Sequence, residues 1–535
     1  MTASTVPGDT RLARSTAAMT ALTAVSRLTG FLRVLVVAAV LGTTFLGNTY
    51  QSANTVPNLL FELLAAGALQ AVLIPSLVEL LARDQRDAEH AAGAILGLTL
   101  AVLAGLAAIG MVAAPLIMRG LVAGVASAEV RDAQIELGTV FLWFFLPQVV
   151  FYAAAMVATG VLNARDRFAV PVFAPVVNNV VVIGAYLLFW RLRDGRPPTL
   201  DLTWTEKTVL AGGTTLAVVA FCSLPVIAAI RTGFKLRPNL DRRHPDVRRI
   251  VRLSGWAVLY LAMTQVLLLV VLVLANSVEG GVVAYQVAFT FFLLPHALFA
   301  IPVLTALFPR LSRQALAEDW AGYAASVERG AKAIAFFVLP ATAAFAALAP
   351  WATAVVIFGE SSGGDSADIA SVVRGFAPGL LGYGGMLFLT RCFYAVNDTR
   401  TPALVNGAAV LAGSVAMAVA AALADGAGRV TALAGAHSAT YLVGAAALFV
   451  LLERRVLAGR TARPPVASPL LRLVLAAAVA FGVMLLASEV VDVDGRLATA
   501  AALVAAGGAG GVVYLGTYRV LGGSLGEFGM GALRG

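Results

Sequence analysis

Two arginines, Arg27 and Arg33, stand inside an otherwise apolar run, SRLTGFLRVLVVAAVLG, at residues 26–42. An ionised side chain at bilayer depth costs at least about 2.5–3.5 kcal/mol, so it faces a protein interior or a watery cavity and is held there by opposite charge. The first chemistry these residues predict is the binding of an anion. The other ionisable groups inside apolar runs are Glu62 and Arg391. Glu62 falls at a depth similar to Arg33, about 14 Å from the outer surface by helix rise. Two readings of Arg33 follow: it pairs with Glu62, which offsets the burial cost of both, or it serves the anion. Arg27 sits deeper, has no acid at its level in a neighbouring run, and is the stronger anion ligand of the two. Six residues apart on a regular helix, the two point about 120° apart; a bend at Gly30 would turn both toward one cavity. Arg391 lies near a run's end, from which its side chain reaches the surface. Asn48 and Asn58 add polar groups near the outer mouth. Pro57 opens the second run and frees backbone groups for neighbours. Asp398 and Arg400 form a charged turn before Pro402, to which we give a structural role in joining a loop to a helix end.

Catalytic and cofactor chemistry finds little support. Of the four histidines, His90 and His244 fall in loops and His296 and His437 in apolar runs, where a hydrogen-bonded helix contact is the ordinary role. The chain contains no HExxH, no paired CxxC and no P-loop, the patterns that would hold a catalytic metal or nucleotide phosphates. Cys222 and Cys392 both fall in apolar runs and define no disulfide framework. We expect no enzyme activity, no metal and no cofactor.

The elements that must position these residues are membrane spans. The chain has 535 residues, is 60% hydrophobic and 13% charged, and has a mean hydropathy of +0.87; soluble proteins carry about 25% charged residues. The fold class is an all-α polytopic membrane protein. Fourteen runs are long enough to span: 17–42, 52–80, 92–118, 135–162, 168–190, 208–230, 250–276, 281–306, 332–358, 371–396, 401–424, 430–452, 470–488 and 498–521. The first is read as a retained span rather than a signal peptide. With the N-terminus in the cytoplasm, 26 of the 38 Lys and Arg fall inside, 9 outside and 3 in spans. The net charge of +9 thereby reports topology, with both termini cytoplasmic, rather than nucleic-acid binding.

An internal repeat is visible. Pro75 in AVLIPSLVELLA and Pro309 in TALFPRLSRQA, and Asn163 in NARDRF and Asn397 in NDTRTP, are each 234 residues apart. Two pseudo-symmetric six-helix lobes follow, 1–230 and 250–455, joined by a basic cytoplasmic linker at 231–249 and followed by a C-terminal helix pair at 456–535. An even number of spans per lobe makes the repeats parallel, and such transporters bind substrate between lobes and rock.

Four stretches, SRLTGFLRVLVVAAVLG, NTVPNLLFELLAAGALQAVLIPSLVE, NARDRFAVPVFAPVVNN and FYAVNDTRTPALVN, resemble the MurJ/MviN lipid II flippases of the multidrug/oligosaccharidyl-lipid/polysaccharide exporter superfamily. The resemblance implies fourteen helices and alternating access. The implied cargo is undecaprenyl-pyrophosphate-linked peptidoglycan precursor, moved from the inner to the outer leaflet of the bacterial plasma membrane. It also implies that Arg27 and Arg33 bind the pyrophosphate, for which guanidinium forks are suited, and that spans thirteen and fourteen form a groove for the prenyl tail. The chain departs from the family pattern at Val34, often an acid; at Phe61 and Glu62, often arginines; and at Ala66, often an acid. Phe289 to Leu294 lacks the arginine often found there. The implied partners are the lipid-linked precursor, membrane lipids and cell-wall synthesis proteins, with no nucleic acid. The substrate-binding candidates are Arg27, Arg33, Asn48, Asn58 and Glu62, with Gly30, Pro57, Asp398 and Arg400 as structural positions. The missing cations leave two alternatives open: export of another polyprenyl-linked glycan or amphipathic drug, and a non-transporting scaffold for wall-synthesis enzymes.

Overall fold

A computed structural model describes residues 7–62, 68–242, 262–361, 364–460 and 467–524. The chain divides into two compact units, residues 1–265 and 266–535, and the described residues contain helices and no strand. Eleven helices are long and apolar enough to cross a membrane, and a pair bent by 45° makes a twelfth. The two other expected spans, 52–80 and 250–276, include residues outside the described ones.

In the N-terminal unit the long helices are α1 (Pro7–Leu41), α2 (Phe45–Phe61), α3 (Ala68–Arg83), α4 (Gln85–Val112), a short α5 (Ala114–Leu121), α6 (Ala128–Phe145), α7 (Gln148–Ala164) and α8 (Ala169–Arg193). A single turn, α9 (Trp204–Lys207), runs through a π-helical turn at Thr208–Gly212 into α10 (Gly213–Arg231). α1 packs on α8, α8 on α10 and α10 on α7; α7 also receives α3 and α4, and α2 lies on α6. The α8–α10 connection is closed by a capping box between Thr203 and Glu206. Glu206 is buried and also holds Arg196 at 2.8 Å and the buried Arg193 at 3.4 Å.

The C-terminal unit holds most of a short apolar helix, α11 (Ala262–Ala275). After it come α12 (Gly281–Pro295), a π turn, α13 (Ile301–Leu316), α14 (Trp320–Val356), α15 (Gly364–Phe376), α16 (Gly379–Ala395), α17 (Arg400–Leu423) and α18 (Gly426–Leu452). The same pairs recur: α17 on α18, α18 on α16, α16 with α13 and α14, and α12 on α15. The final helices, α19 (Ala467–Val490) and α20 (Arg496–Val520), pack on each other and on α14, burying Leu473, Ala480, Met484 and Tyr514 against Phe336 and Leu339. The terminal pair therefore belongs to the second compact unit.

The repeat is real in its helix pairing, but its register in the second anchor is 231. α7 and α16 are each 17 residues long and start directly after Pro147 and Pro378. Each ends in the same turn: Asp166 (φ 57°) and Asn397 (φ 60°) take the left-handed conformation. The following amides, Arg167 N and Asp398 N, donate back to Leu162 O at 2.8 Å and Phe393 O at 3.0 Å. Matching the two asparagines by letter gave 234. The backbone instead matches Asp166 to Asn397, because Asp and Asn are the non-glycine residues that tolerate that conformation.

Leu404, Leu411, Val415, Val419 and Leu423 form an exposed stripe along α17. In water this would be a liability; facing lipid it has no such cost. The loop after α10 is not a free linker where it is described. Asn239 N donates to Gly93 O at 3.0 Å, its side chain donates to His90 O at 3.1 Å, and Asp241 meets His90 at 3.1 Å. Glycine is required beneath it: a Cβ on Gly97 would stand 2.0 Å from Asn239 O.

Candidate functional site

α1 runs through Gly30 as one continuous helix. A Cβ on Gly30 would stand 3.6 Å from the Asn179 side-chain amide of α8, and that amide donates to the Thr29 hydroxyl at 3.1 Å. Gly30 and Thr29 therefore fix α1 on α8. With the helix unbroken, Arg27 and Arg33 keep different azimuths. Arg27 is exposed and Arg33 half-buried, and among the described residues neither makes an ion pair or a hydrogen bond.

Arg33 is electrostatically linked to three phenols. Its charge reaches Tyr50 of α2, Tyr152 of α7 and Tyr186 of α8. The Tyr50 hydroxyl lies 2.8 Å from that of Tyr186 and 2.7 Å from that of Thr214 on α10, all buried. Phe141 and Phe145 hold the Tyr50 ring edge-on, with centroids at 5.9 and 5.7 Å. Three helices, α2, α8 and α10, thus share a buried hydroxyl cluster on which the Arg33 charge acts. Sequence reasoning missed these tyrosines: 136 and 164 residues separate Tyr50 from its two hydroxyl partners, and nothing in local spacing joins them.

The second-run residues divide. Tyr152 donates its hydroxyl to the exposed Asn58 carbonyl at 3.1 Å, and its ring lies 4.6 Å from that of Phe61. Asn58 therefore stands at the open edge of the Arg33 cluster. Pro57 is buried within α2, which continues through it to Phe61; without a proline N–H, the carbonyl of Ala53 loses its helical donor. Glu62 is exposed, and no ion pair joins it to Arg33 among the described residues. Asn48 is wholly buried in α2.

Elsewhere the polar residues tie helices together. Asp398 accepts from the Thr401 amide at 2.9 Å and hydroxyl at 2.6 Å, opening α17, while Arg455 donates to the same hydroxyl at 3.3 Å. Arg400 beside it is exposed. Burial pushes the Asp398 carboxyl up. The Thr401 and Arg400 hydrogen bonds and the Arg455 charge outweigh burial and hold it below the ordinary carboxylate range. His296 places its ring nitrogens 3.0 Å from Phe292 O and 2.8 Å from Leu380 O. His437 meets the Tyr285 hydroxyl and stacks on Phe289 and Tyr441. Arg391 is exposed and lies over the Phe308 ring. No cluster of three or more His, Cys, Asp or Glu suited to a metal occurs among the described residues.

Two helical units with the same helix pairings, and cationic side chains inside a span, define a polytopic membrane protein. Comparison with solved structures agrees. A structure titled "Lipid II flippase MurJ, inward closed conformation" matches with a TM-score of 0.75 at 18% identity, over 94% of this chain and 98% of that one. An inward-facing multidrug resistance MATE family transporter of the MOP superfamily matches at 0.60 and 14% identity, over 82% and 94%. The family model "Lipid II flippase MurJ" matches residues 37–504, and the chain belongs to that family. Among curated relatives, the lipid II flippase MurJ of Burkholderia cenocepacia is 27% identical over 395 residues, 73% of this chain and 75% of the relative. The probable lipid II flippase MurJ of Rhizobium tropici is 27% identical over 73% and 72%.

Proposed function

We propose that this protein flips lipid II, the undecaprenyl-pyrophosphate-linked peptidoglycan precursor, from the inner to the outer leaflet of the bacterial plasma membrane by alternating access. The observation that carries the reading is the pair of α1 guanidiniums that no acid neutralises among the described residues, in a chain of the flippase family. Pyrophosphate offers the bidentate oxygens that guanidinium forks suit. In this reading Arg27, the exposed one, meets the headgroup first. Arg33, half-buried and with its charge reaching Tyr50, Tyr152 and Tyr186, holds it beside Asn58. The concentration of Lys and Arg in alternate loops supports cytoplasmic termini. An inside-negative potential then favours outward passage of the anion by about 2.3 kcal/mol per charge per 100 mV.

The test is depletion followed by complementation, with outer-leaflet lipid II as the readout. Wild type restores it, and Arg27→Ala and Arg33→Ala variants at equal membrane level do not. Full restoration by the double variant would instead favour a scaffold for cell-wall synthesis proteins. A second reading, export of an amphipathic drug or another polyprenyl-linked glycan, draws on Glu62, an exposed acid without an ion pair among the described residues. Drug resistance that depends on Glu62 and not on Arg27 would favour it.

A further inference from the structure

A second cationic site lies in the N-terminal unit, away from the Arg33 cluster. A cavity of about 650 Å³ opens between α1, the α7–α8 turn and the end of α10, within the range of about 300–1,000 Å³ that holds small molecules. Leu22, Leu162, Phe168, Leu224 and Ile227 give it apolar walls, and Arg167, Arg231 and Asp166 stand on its rim. Both arginines are exposed, and among the described residues neither side chain makes an ion pair or hydrogen bond. The frame is built. Arg165 donates to Thr232 O at 2.8 Å and to its hydroxyl at 2.9 Å, and lies over the Phe234 ring, pinning the turn to the end of α10.

The repeat sharpens the point. By the 231-residue register, Arg167 corresponds to Asp398. In the C-terminal unit that acid caps α17 and feels the charge of Arg455. In the N-terminal unit a cation replaces the acid, and Arg231 faces the same cavity, so the rim carries an excess of positive charge that suits an anion.

We propose that this cavity binds one anionic phospholipid, its acyl chain against the apolar walls and its phosphodiester between Arg167 and Arg231. Two guanidiniums and one carboxylate leave the rim a single positive charge, which matches a monoanionic phosphodiester rather than a pyrophosphate. The basic stretch beginning at Arg231 assigns the lipid to the cytoplasmic leaflet. The site does not depend on the cargo, and its test does not measure flipping.

Full-length protein in mixed micelles is titrated with labelled phosphatidylglycerol and phosphatidylcholine. Wild type is expected to prefer phosphatidylglycerol by at least about tenfold, the effect of one hydrogen bond to a charged group, and salt should weaken that preference. The Arg167→Gln, Arg231→Gln double variant should lose it. Ile227→Trp, which narrows the cavity and keeps both charges, should lower occupancy by either lipid. Arg191→Gln, an exposed arginine outside this site, should behave as wild type. Unchanged preference in the double variant, an equal loss in Arg191→Gln, binding of inorganic phosphate as tight as the lipid, or displacement of the phospholipid by equimolar lipid-linked precursor would each overturn the proposal. The variants are compared at matched elution volume and helical signal, so misfolding is read separately.

Discussion

At the residue scale, the two α1 arginines differ in what supports them. Arg27 is exposed on α1, whereas Arg33 is half-buried and its charge reaches three tyrosines. A flexible exposed cation loses side-chain entropy when it binds, and a half-buried one loses less. Truncating either should weaken lipid II binding by about ten- to a hundredfold, since hydrogen bonds to charged groups are worth about 1.5–3 kcal/mol. The conservative variants separate them. Arg33→Lys should bind nearly as poorly as Arg33→Ala, because at a half-buried position a point charge does not reproduce the bidentate fork, while Arg27→Lys, at an exposed one, should recover much of the affinity. A binding titration of purified variants checks this, and recovery by Arg33→Lys equal to that by Arg27→Lys would remove the distinction. The arginines were legible because charge inside a span is costly. The tyrosines were not, because a phenol in a span also serves as an interface anchor, and only the fold brings α2, α7, α8 and α10 together.

At the element scale, span positions were legible from length and hydropathy, and the ways helices break were not. The π turns at Thr208–Gly212 and His296–Ala300 and the bend between α15 and α16 leave hydropathy unchanged. Pro378 marks that bend, yet Pro147 at the equivalent place sits within a single spanning stretch, Ala128–Ala164. The packing of the post-α10 loop on α4 was equally hidden, since Gly93 and Gly97 look like ordinary helix glycines. Gly97→Val should force the Asn239 backbone away and cost about 1–3 kcal/mol, the scale of overpacking. A lower melting temperature, with faster proteolysis within 235–242, checks it; an unchanged melt with a protected loop would contradict the contact. Asp398 supplies a pH-dependent element. Its folded-state carboxyl is held below the ordinary value of 3.8, so its stabilisation is whole above the unfolded value and is lost as pH falls through the folded one. Asp398→Asn should melt lower than wild type at neutral pH, and the gap should close in acid. A gap constant down to the acid limit would deny the carboxylate that role.

At the scale of the whole molecule, the repeat turns one unit into a control for the other. The letters suggested the repeat, and backbone conformation set its register, because the left-handed position of the turn constrains the chain more tightly than the identity of a nearby asparagine. The register carries a consequence. α8 and α17 both follow non-capping residues, Phe168 and Thr399, in helical conformation. Their first long bonds also match: Val172 N to Phe168 O at 3.2 Å, and Ala403 N to Thr399 O at 3.4 Å. In the C-terminal unit Asp398 satisfies the Thr401 amide; the N-terminal counterpart of that amide, on Val170, has no such acid. Arg167→Asp should therefore place a carboxylate against the start of α8 and add about 0.5–2 kcal/mol of capping stability. The same change should abolish the phosphatidylglycerol preference, since it reverses a rim charge. Melting in detergent free of anionic lipid isolates the first effect, and the lipid titration reads the second. The 231-residue register requires a higher melting temperature; a lower one would mean that the two turns share a shape without sharing the geometry of the helix that follows.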